Sequence, residues 1–466
     1  MKPRPPQTNK KTKWLILFII VIVIIPLAGI FFLRFESTTP VVHLDIPQTP
    51  VGASFWIKGA ITDNKTGLKK IWMGLLQDGK EETVLMDEDY PAGPVYKGGK
   101  LLHKEIDILV EPKHLGLKDG TVTLRIVVID FSWRNWGSGN KIYTEKLLTI
   151  DTTPPEIDML SKTHNVTQGG SGLAIYRVNE KDTKNGVYVQ DKFYPGYSGY
   201  FGDDTIYLCF FSVAPDQDRN MSIYVSASDA ADNKARAGFS YYIRKRNYKK
   251  DQIIVSDQFL NWKMPEFDTT EFGVPEESGI DKFLAVNEKL RKKNAQQITA
   301  PGAHPEKKMY WVGSFGRLPQ SATRATFADY RSYTYKEKTV DHQFHMGIDL
   351  ASIKGSEVPA ANSGKVALTE NIGIYGKTVV LDHGFGLFSV YSHLSQIDTS
   401  PGSLVAKDEI LGRTGTTGLA VGDHLHFSMF VHDTFVNPIE WWDAEWIKNN
   451  ITSKLEDVKN LTKNVQ

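Results

Sequence analysis

Five residues in three short motifs, four histidines and one aspartate, have the side chains that metal binding and proton transfer require. They occur in three short motifs: HMGIDL contains His345 and Asp349, YSHLS contains His393, and GDHLHF contains His424 and His426. Imidazole nitrogens and carboxylate oxygens are typical zinc ligands. Each motif alone also fits a structural histidine in an ordinary strand, so the chemistry depends on whether the chain brings the motifs together.

The spacing within each motif predicts how the side chains point. Residues two apart in a β-strand share a face, so His424 and His426 project together, about 6–7 Å apart at their Cα atoms, while Leu425 enters the core. A straight strand would separate the two polar residues of HMGIDL by about 13 Å, and Gly347 offers the bend that shortens this distance. His393 falls on another strand with alternating neighbours.

Three stretches frame or overlap these motifs: VPAANSGKV, IYGKTVVLDHG and LGRTGTTGLAVGDHLHF. With them, the region from about Phe315 to Trp442 resembles the lysostaphin and LytM-type zinc metallopeptidases. The resemblance implies a peptidoglycan endopeptidase whose antiparallel β-sheet domain carries one zinc ion in a groove.

The resemblance also assigns roles to the five residues. It implies that His345, Asp349 and His426 hold zinc, and that His393 and His424 are the catalytic pair. Three protein ligands with one open position for water is the general form of a catalytic zinc site. One histidine would take a proton from that water while the other stabilises the oxyanion or protonates the leaving amine, and the sequence leaves open which does which.

One stretch departs from the family pattern. Upstream of HMGIDL many members carry a phenylalanine-glycine pair followed by paired arginines, whereas this chain reads FADYRSYTY, and the similar string GSFGR lies farther upstream at 313–317. This stretch borders the substrate groove in the family. The metal centre is therefore predicted, but the bond that is cleaved is not.

The N-terminus predicts a membrane anchor. An uncharged apolar run extends from Trp14 to Leu33, long enough to cross a bilayer, and Pro26 can kink such a helix without forbidding it. Five basic residues precede the run and only Arg34 follows it closely, which predicts a cytoplasmic N-terminus. A cleaved signal peptide is the alternative, but the run exceeds a usual signal core and no clear Ala-x-Ala site follows. We predict a single-pass protein of the inner (cytoplasmic) membrane with a periplasmic catalytic domain.

Two related β-modules are predicted between the anchor and residue 246. TTP recurs at 38–40 and 152–154, and the runs TVTLRIVVID and MSIYVSASD both alternate at period 2 before ending at Asp130 and Asp229. The two aspartates lie about one hundred residues apart, the length of a small β-sandwich. The pattern resembles tandem immunoglobulin-like modules, which would act as spacers or dock an envelope protein. Each aspartate is expected to cap its polar turn, with a calcium ligand as the alternative.

The remaining sequence is less specific. DKFLAVNEKLRKKNAQQ places Phe283, Val286 and Leu290 at helical spacing, with a basic cluster at 291–293 that fits a solvated helix face. Cys209, the single cysteine, is predicted to be a buried hydrophobe. Lysine and arginine number 55 against 54 aspartates and glutamates, which gives no indication of a nucleic-acid partner.

The fold class predicted from these signals is mainly β, with helices at the membrane, in a connector and in the tail. The predicted segments are a basic cytoplasmic tail (1–13), a transmembrane anchor (14–33), Ig-like β-module 1 (36–151), Ig-like β-module 2 (152–246), a helical connector (247–304), a LytM-type zinc peptidase domain (305–445) and a charged helical tail (446–466).

The functional hypothesis is a membrane-anchored zinc endopeptidase that cuts peptidoglycan cross-links or stem peptides. Two alternatives remain open. A non-catalytic relative would activate or scaffold another wall hydrolase, although such relatives typically lack zinc ligands that this chain retains. The same zinc chemistry could also act on a protein substrate.

Overall fold

The computed structural model describes residues 10–77, 83–218, 220–274 and 279–463. Residues 1–9 of the predicted cytoplasmic tail and 464–466 of the C-terminal tail lie outside these ranges. The chain is mainly β, as predicted, and forms two compact units. The first unit comprises Met1–Pro154 and Asp229–Asn233, and the second comprises Pro155–Ser228 and Lys234–Gln466. The segment boundaries predicted from the sequence are finer than this division and stay a prediction.

The apolar N-terminal run is a helix that extends over Lys10–Arg34. It consists of α1 (Lys10–Ile19), a π-helical turn (Ile20–Ile24) and α2 (Ile25–Arg34). Pro26 lies in the first turn of α2, where the missing N–H is tolerated. The helix has the length and hydropathy of a membrane span.

Two antiparallel sheets form the β part of the first unit. The strands are β1 (Val41–Asp45), β2 (Phe55–Thr62), β3 (Leu68–Leu76), β4 (Thr83–Asp89), β5 (His103–Val110), β6 (Gly120–Asp130) and β7 (Lys141–Ile150), with a short helix α3 (Arg134–Gly137) after β6. One sheet has the order β1-β2-β5 and the other β4-β3-β6-β7. The immunoglobulin-like character of the module stays a prediction.

Period-2 alternation correctly gave the buried faces of two strands. Val122, Leu124, Ile126 and Val128 of β6 are all buried. The corresponding residues of MSIYVSASD are also buried. Asp130 accepts backbone N–H bonds from Ser132 and Asn140 at 2.9 and 2.7 Å, and Asp229 caps its own turn in the same way through Ala231 and Asn233.

The second unit begins with three small sheets. Its first strands are β8 (Ile157–Met159), β9 (His164–Thr167), β10 (Ser171–Val178), β11 (Lys184–Val189), β12 (Lys192–Pro195), β13 (Ile206–Ser212), β14 (Ile223–Ser228), β15 (Lys234–Gly238) and β16 (Tyr241–Arg244). They pair as β13-β10-β8, β12-β11-β14-β15 and β16-β9. Cys209 is fully buried on β13, and burial raises the pKa of its thiol to about 12, so it behaves as the predicted hydrophobe.

The connector is largely helical but begins with a strand. The helices are α4 (Asp257–Lys263), α5 (Gly279–Ala285) and α6 (Arg291–Thr299), with a π-helical turn at Val286–Leu290 and 3₁₀ turns at Met264–Glu266, Thr270–Phe272 and Ala300–Ala303. Phe283, Val286 and Leu290 are buried, as their spacing predicted. The segment predicted as a helical connector over 247–304 also contains a strand, β17 (Lys250–Ile254), which pairs in parallel with a later strand. This partner is distant in sequence, so local periodicity does not reveal it.

The C-terminal part of the second unit is built on an eight-stranded sheet. Its strands are β18 (Ala322–Ala325), β21 (Ile348–Ala351), β23 (Gly364–Ile372), β24 (Gly376–Gly384), β25 (Leu387–Leu394), β27 (Leu404–Val405), β29 (Leu425–Val431) and β30 (Thr434–Val436). The order is β18-β21-β29-β25-β24-β23-β27, with β30 paired to β29. Two small sheets join β17 to β19 (Tyr330–Tyr335) and β20 (Lys338–Phe344), and β22 (Glu357–Pro359) to β28 (Ile410–Arg413) and β26 (Gln396–Ile397).

The tail is helical, and one side of it is buried. It contains α7 (Pro438–Trp442), α8 (Ala444–Ile447), a π-helical turn (Lys448–Thr452) and α9 (Ser453–Lys463). Ile447, Ile451, Leu455 and Val458 join a continuous hydrophobic core that also contains residues of β10, β13 and the eight-stranded sheet. Residues 155–228 therefore share their core with the C-terminal sheet.

A buried carboxylate in this shared core gives the second unit a pH-dependent stability. Glu440 of α7 is 6% exposed and accepts a hydrogen bond from the backbone N–H of Ser171 at 3.0 Å. Burial raises the pKa of Glu440 to about 7. A raised folded-state pKa adds stability below the ordinary glutamate pKa of about 4.3, and this contribution is lost as the pH rises through about 7.

We expect the free energy of unfolding of the wild type to fall by about 3 kcal/mol between about pH 4 and pH 8. Glu440→Gln should not show this fall, because its side chain does not ionise. Denaturant unfolding of both proteins across this pH range measures the difference. Glu445→Gln, on the exposed side of α8, is the matched control and should follow the wild type. A wild-type-to-variant difference that does not change with pH would contradict the assignment.

Candidate metal centre and active site

Three side chains of the second unit meet in a tight triangle of ligand atoms. The Nε2 atom of His345 lies 3.0 Å from Oδ1 of Asp349 and 3.1 Å from Nδ1 of His426. The same Asp349 oxygen lies 2.9 Å from His426 Nδ1. The structure thus brings together the three residues for which the sequence predicted metal binding.

Hydrogen bonds on the far side of each imidazole fix which nitrogen is free. His345 Nδ1 lies 3.0 Å from the carbonyl oxygen of Thr326, to which it can only donate. Ser428 Oγ donates its proton to the Met346 carbonyl at 2.7 Å, so it must accept from His426 Nε2 at 2.9 Å. In the neutral imidazoles the two nitrogens that face Asp349 are therefore acceptors.

The triangle consequently joins three lone-pair donors with no proton between them, an arrangement that a cation stabilises. Zinc bonds of about 2.0–2.1 Å hold tetrahedral ligands roughly 3.3 Å apart, close to the observed spacing. Burial lowers the pKa of His426 to about 4, which keeps the ring neutral as a metal ligand must be. The donor set of two imidazoles and one carboxylate fits zinc.

Strand register explains why these residues meet. Asp349 on β21 is paired directly with His426 on β29, and His345 lies in the turn that leads from β20 into β21. Gly347 was predicted to bend this segment. The structure shows a further requirement there, because a Cβ on Gly347 would lie 2.5 Å from the His426 ring and from Ser428 Oγ.

His393 and His424, the predicted catalytic pair, lie beside the triangle. Their ring centroids are 4.8 Å apart, and the His393 ring is 5.7 Å from that of His426. His393 Nδ1 bonds to the Thr417 carbonyl at 2.8 Å and His424 Nδ1 to the Gly422 carbonyl at 2.7 Å. Each ring therefore holds its Nδ1 proton on the backbone, so Nε2 is the nitrogen that can exchange a proton.

The environments of the two rings differ. His393 is 8% exposed and has a left-handed backbone with φ of 63°, a strained conformation for a residue with a side chain. Burial holds the pKa of His393 well below its ordinary value. His424 lies just before β29, with Nε2 3.6 Å from Asp349 Oδ1. Burial lowers the pKa of His424, but the Asp349 carboxylate outweighs it and the net shift is upward.

The five residues line one cavity of about 480 Å³. Much of its wall is apolar and comes from the connector, where β17 contributes Ile253 and Ile254 and the helices contribute Phe259 and Phe283. Arg291, from the basic cluster predicted to lie on a solvated helix face, also lines the cavity. The connector is thus part of the site.

Sequence reasoning missed two polar contacts. Arg331 Nη2 lies 3.3 Å from Asp349 Oδ2, the carboxylate oxygen outside the triangle, and Ser428 fixes the tautomer of His426. Arg331 lies within FADYRSYTY, the stretch that departs from the family pattern, and this departure was the available signal. Three further histidines of the same region, His342, His383 and His432, do not line the cavity.

Comparison with known proteins identifies this part of the chain. Residues 343–438 match the model of Peptidase family M23. The chain carries a peptidase M23 domain. The predicted recognition of a lysostaphin and LytM-type metallopeptidase is confirmed, and the matched region contains all five site residues.

Relatives of the M23 domain include named cell-wall enzymes. The chain is 34% identical over 129 residues to "DD-carboxypeptidase/endopeptidase Mpg" of Neisseria meningitidis serogroup B, a match that covers 27% of this chain and 29% of that protein. It is 34% identical over 96 residues to "Peptidoglycan DD-endopeptidase ShyA" of Vibrio cholerae, covering 21% of this chain and 22% of that protein. The chain therefore spans less than a third of the length of these relatives.

Solved structures include the catalytic domain of the antimicrobial peptidase lysostaphin from Staphylococcus simulans. It is 25% identical to this chain, with a TM-score of 0.24, and the match covers 28% of this chain and 98% of that one.

The hydrogen bond between His426 Nε2 and Ser428 Oγ should affect zinc affinity. We expect Ser428→Ala to weaken zinc binding by about 10–100-fold, because His426 loses the hydrogen-bond partner that keeps Nδ1 free. Competition titration with a zinc chelator measures the affinity. Ser389→Ala is the matched control, since it breaks a similar bond of 2.7 Å to His383 outside the site. Equal affinities of the two variants would contradict the role of Ser428.

Proposed function

We propose that the chain is a membrane-anchored zinc metalloendopeptidase that hydrolyses peptide bonds in peptidoglycan cross-links or stem peptides. The observation that carries this proposal is the convergence, in one cavity of an M23 domain, of three metal-ligand atoms and two histidines whose Nε2 atoms can exchange a proton. Relatives named as DD-endopeptidases support the substrate class.

His345, Asp349 and His426 would hold zinc, as the family's metallopeptidase character implies. When bound, zinc lowers the pKa of a coordinated water towards about 7 and polarises the scissile carbonyl. Arg331 would hold the second oxygen of Asp349, so that Oδ1 stays directed at the metal.

His393 and His424 would supply the proton transfers. One Nε2 accepts a proton from the attacking water, and the other ring stabilises the oxyanion or returns a proton to the leaving amine. His424 is the better candidate for a protonated role because Asp349 raises its pKa, whereas burial keeps His393 neutral. The sequence left this division open.

The cavity suits a short peptide. Its volume of about 480 Å³ lies within the range of sites that enclose small ligands. The apolar wall from the connector would contact side-chain methyl groups, and Arg291 would place positive charge beside a bound peptide carboxylate. Amide bonds between short, acidic stem peptides match this surface.

The N-terminal helix would place the enzyme at its substrate. A span over residues 14–33 with the basic residues in the cytoplasm puts the M23 domain in the periplasm, where peptidoglycan lies. We retain the β-modules as candidate docking sites for an envelope protein. A non-catalytic scaffold is disfavoured because ligands and catalytic histidines are all present.

The experiment is digestion of purified sacculi by the zinc-loaded protein without its anchor, residues 36–466. We expect soluble muropeptides to be released, and release to stop with a chelator or in His345→Ala. The released fragments identify the bond. Hydrolysis of an unrelated protein but not of sacculi would favour the protein-substrate alternative, and no hydrolysis of either by folded, zinc-containing protein would favour the scaffold.

A further inference from the structure

A second cluster of ligand atoms lies in the first unit, apart from the M23 domain. It joins Glu36, directly after the N-terminal helix, to Asp63 in the β2–β3 turn and to Asp130 at the end of β6. The three residues are 2%, 5% and 0% exposed. One carboxylate oxygen from each lies within 4.8 Å of the others. Buried carboxylates repel one another at this distance unless a cation lies between them.

One of these carboxylates is incompletely bonded. Asp63 Oδ1 accepts backbone N–H bonds from Lys65, Thr66 and Gly67 at 2.8–3.2 Å. Asp63 Oδ2 is buried and has no hydrogen-bond partner in the structure. A buried, unpartnered carboxylate oxygen is strongly unfavourable, and such an atom needs a ligand that the protein itself does not provide.

The other two carboxylates are held in place by hydrogen bonds. Glu36 Oε1 accepts bonds from the backbone N–H and hydroxyl of Thr66 at 3.2 and 2.5 Å. Asp130 Oδ2 accepts a bond from Asn140 Nδ2 at 2.8 Å. These neutral donors orient the oxygens and leave further lone pairs free, but they do not neutralise the charge.

The nearby Arg34 interacts electrostatically with Asp130 but compensates only part of the negative charge of the cluster. The two terminal N–H groups of Arg34 donate hydrogen bonds to the carbonyl oxygens of Val95 and Phe131, at 2.8 and 2.7 Å. Within the described ranges, no ion pair joins Arg34 to any of the three carboxylates. Even if its charge is counted, three carboxylates and one guanidinium leave the site with a deficit of two positive charges.

We propose that Glu36, Asp63 and Asp130 bind one calcium ion. Calcium prefers carboxylate and other oxygen ligands at 2.3–2.6 Å, so its ligands lie up to about 5 Å apart, as the oxygens do here. A divalent ion also supplies the missing charge. The absence of nitrogen and sulfur donors from the three-residue set distinguishes this site from the histidine-rich centre of the M23 domain.

The site has a structural consequence that is independent of the proposed peptidase activity. The ion ties the chain segment that leaves the N-terminal helix to two turns of different β-strands. Bound calcium would therefore fix the base of the first unit to its anchor, and the segment around Glu36 would loosen without it. Asp130 serves both as the turn cap predicted from the sequence and as a ligand, because each carboxylate oxygen has two lone pairs.

The test uses the full chain in detergent with its zinc site filled, titrated with calcium chloride by calorimetry. We expect one calcium per chain with a Kd at or below about 10⁻³ M, within the range of extracellular calcium modules. Asp63→Asn and Glu36→Gln should each weaken binding at least tenfold. Asp107→Asn, an exposed aspartate paired with Lys58, is the charge-matched control and should bind like the wild type.

Thermal unfolding separates a metal site from a hydrogen-bond network. We expect calcium to raise the unfolding midpoint of the wild type but not that of Asp63→Asn. In calcium-free buffer the midpoint of Asp63→Asn should be no lower than that of the wild type, because the variant has less carboxylate repulsion. No calcium binding up to about 10 mM, or equal binding by Asp63→Asn and the wild type, would overturn the proposal. So would a midpoint lowered equally with and without calcium.

Discussion

Replacing His426 by alanine is expected to remove the bound zinc and to slow peptide hydrolysis by at least about 10³-fold. The side chain supplies one of three ligand atoms, which lie 2.9–3.1 Å apart in the triangle. Loss of the metal forfeits several kcal/mol of transition-state stabilisation, and each 1.4 kcal/mol corresponds to a factor of ten in rate. Zinc content by mass spectrometry and release of muropeptides, measured on the same samples, test both parts.

The matched control for this prediction is His342→Ala. His342 lies three residues before His345 but stacks on Tyr330, with ring centroids 5.2 Å apart, and does not line the cavity. We expect this variant to retain both zinc and activity. If His426→Ala kept one zinc per chain and a normal rate, the metal centre would have to be assigned to other residues.

Replacing either His393 or His424 by alanine is expected to leave zinc bound but to slow hydrolysis by about 10²–10⁴-fold, the usual contribution of a general acid or base. Neither ring belongs to the ligand triangle, and both hold Nδ1 on a backbone carbonyl. Zinc content should therefore distinguish the two kinds of variant, because His426→Ala loses the metal whereas His393→Ala and His424→Ala keep it.

The pH dependence of the two variants would distinguish their roles. If His424 acts in its protonated form, His424→Ala should lose the fall in rate at alkaline pH, and His393→Ala should lose the fall at acidic pH. The measurement is kcat/KM across the pH range with zinc kept saturating. Unchanged rates in both variants with zinc bound would remove the two histidines from the mechanism.

The sequence indicated the five site residues through three short motifs, whose combination with the framing stretches resembles the family. Alternation placed Leu425 in the core and its neighbours at the cavity, and the framing stretches were specific enough to indicate the family. The local sequence pattern could not predict the role of Ser428, because this role depends on its hydrogen bond to the Met346 carbonyl, which is distant in sequence. Arg331 was hidden for the same reason, since its contact with Asp349 depends on packing between two sheets.

The limits of the fold prediction have a similar cause. β17 pairs in parallel with β19, about eighty residues later, a non-local contact that leaves no periodic trace in the connector. Helical spacing correctly predicted that Phe283 and Leu290 are buried, but not that Phe283 faces a cavity with the metal-ligand triangle in its wall. Nor did period 2 show that β10 and β13 share one core with the C-terminal sheet.

This shared core affects how the enzyme should be tested. A fragment beginning at residue 305 would expose the apolar surface that normally packs against β10, β13 and the connector helices. Activity of such a fragment would be a poor measure of the M23 domain, because the fragment lacks the core residues that β10, β13 and the connector helices contribute. Variants in the full chain, with single side chains changed, avoid this difficulty.

The most direct test of the proposed peptidase activity is hydrolysis of a purified, cross-linked muropeptide dimer by the zinc-loaded protein, followed by mass spectrometry. We expect the dimer to be split into two fragments with the uptake of one water, and to stay intact with His426→Ala or with chelated wild type. An intact dimer after incubation with folded, zinc-containing wild type, or equal cleavage by His426→Ala, would contradict the proposed activity.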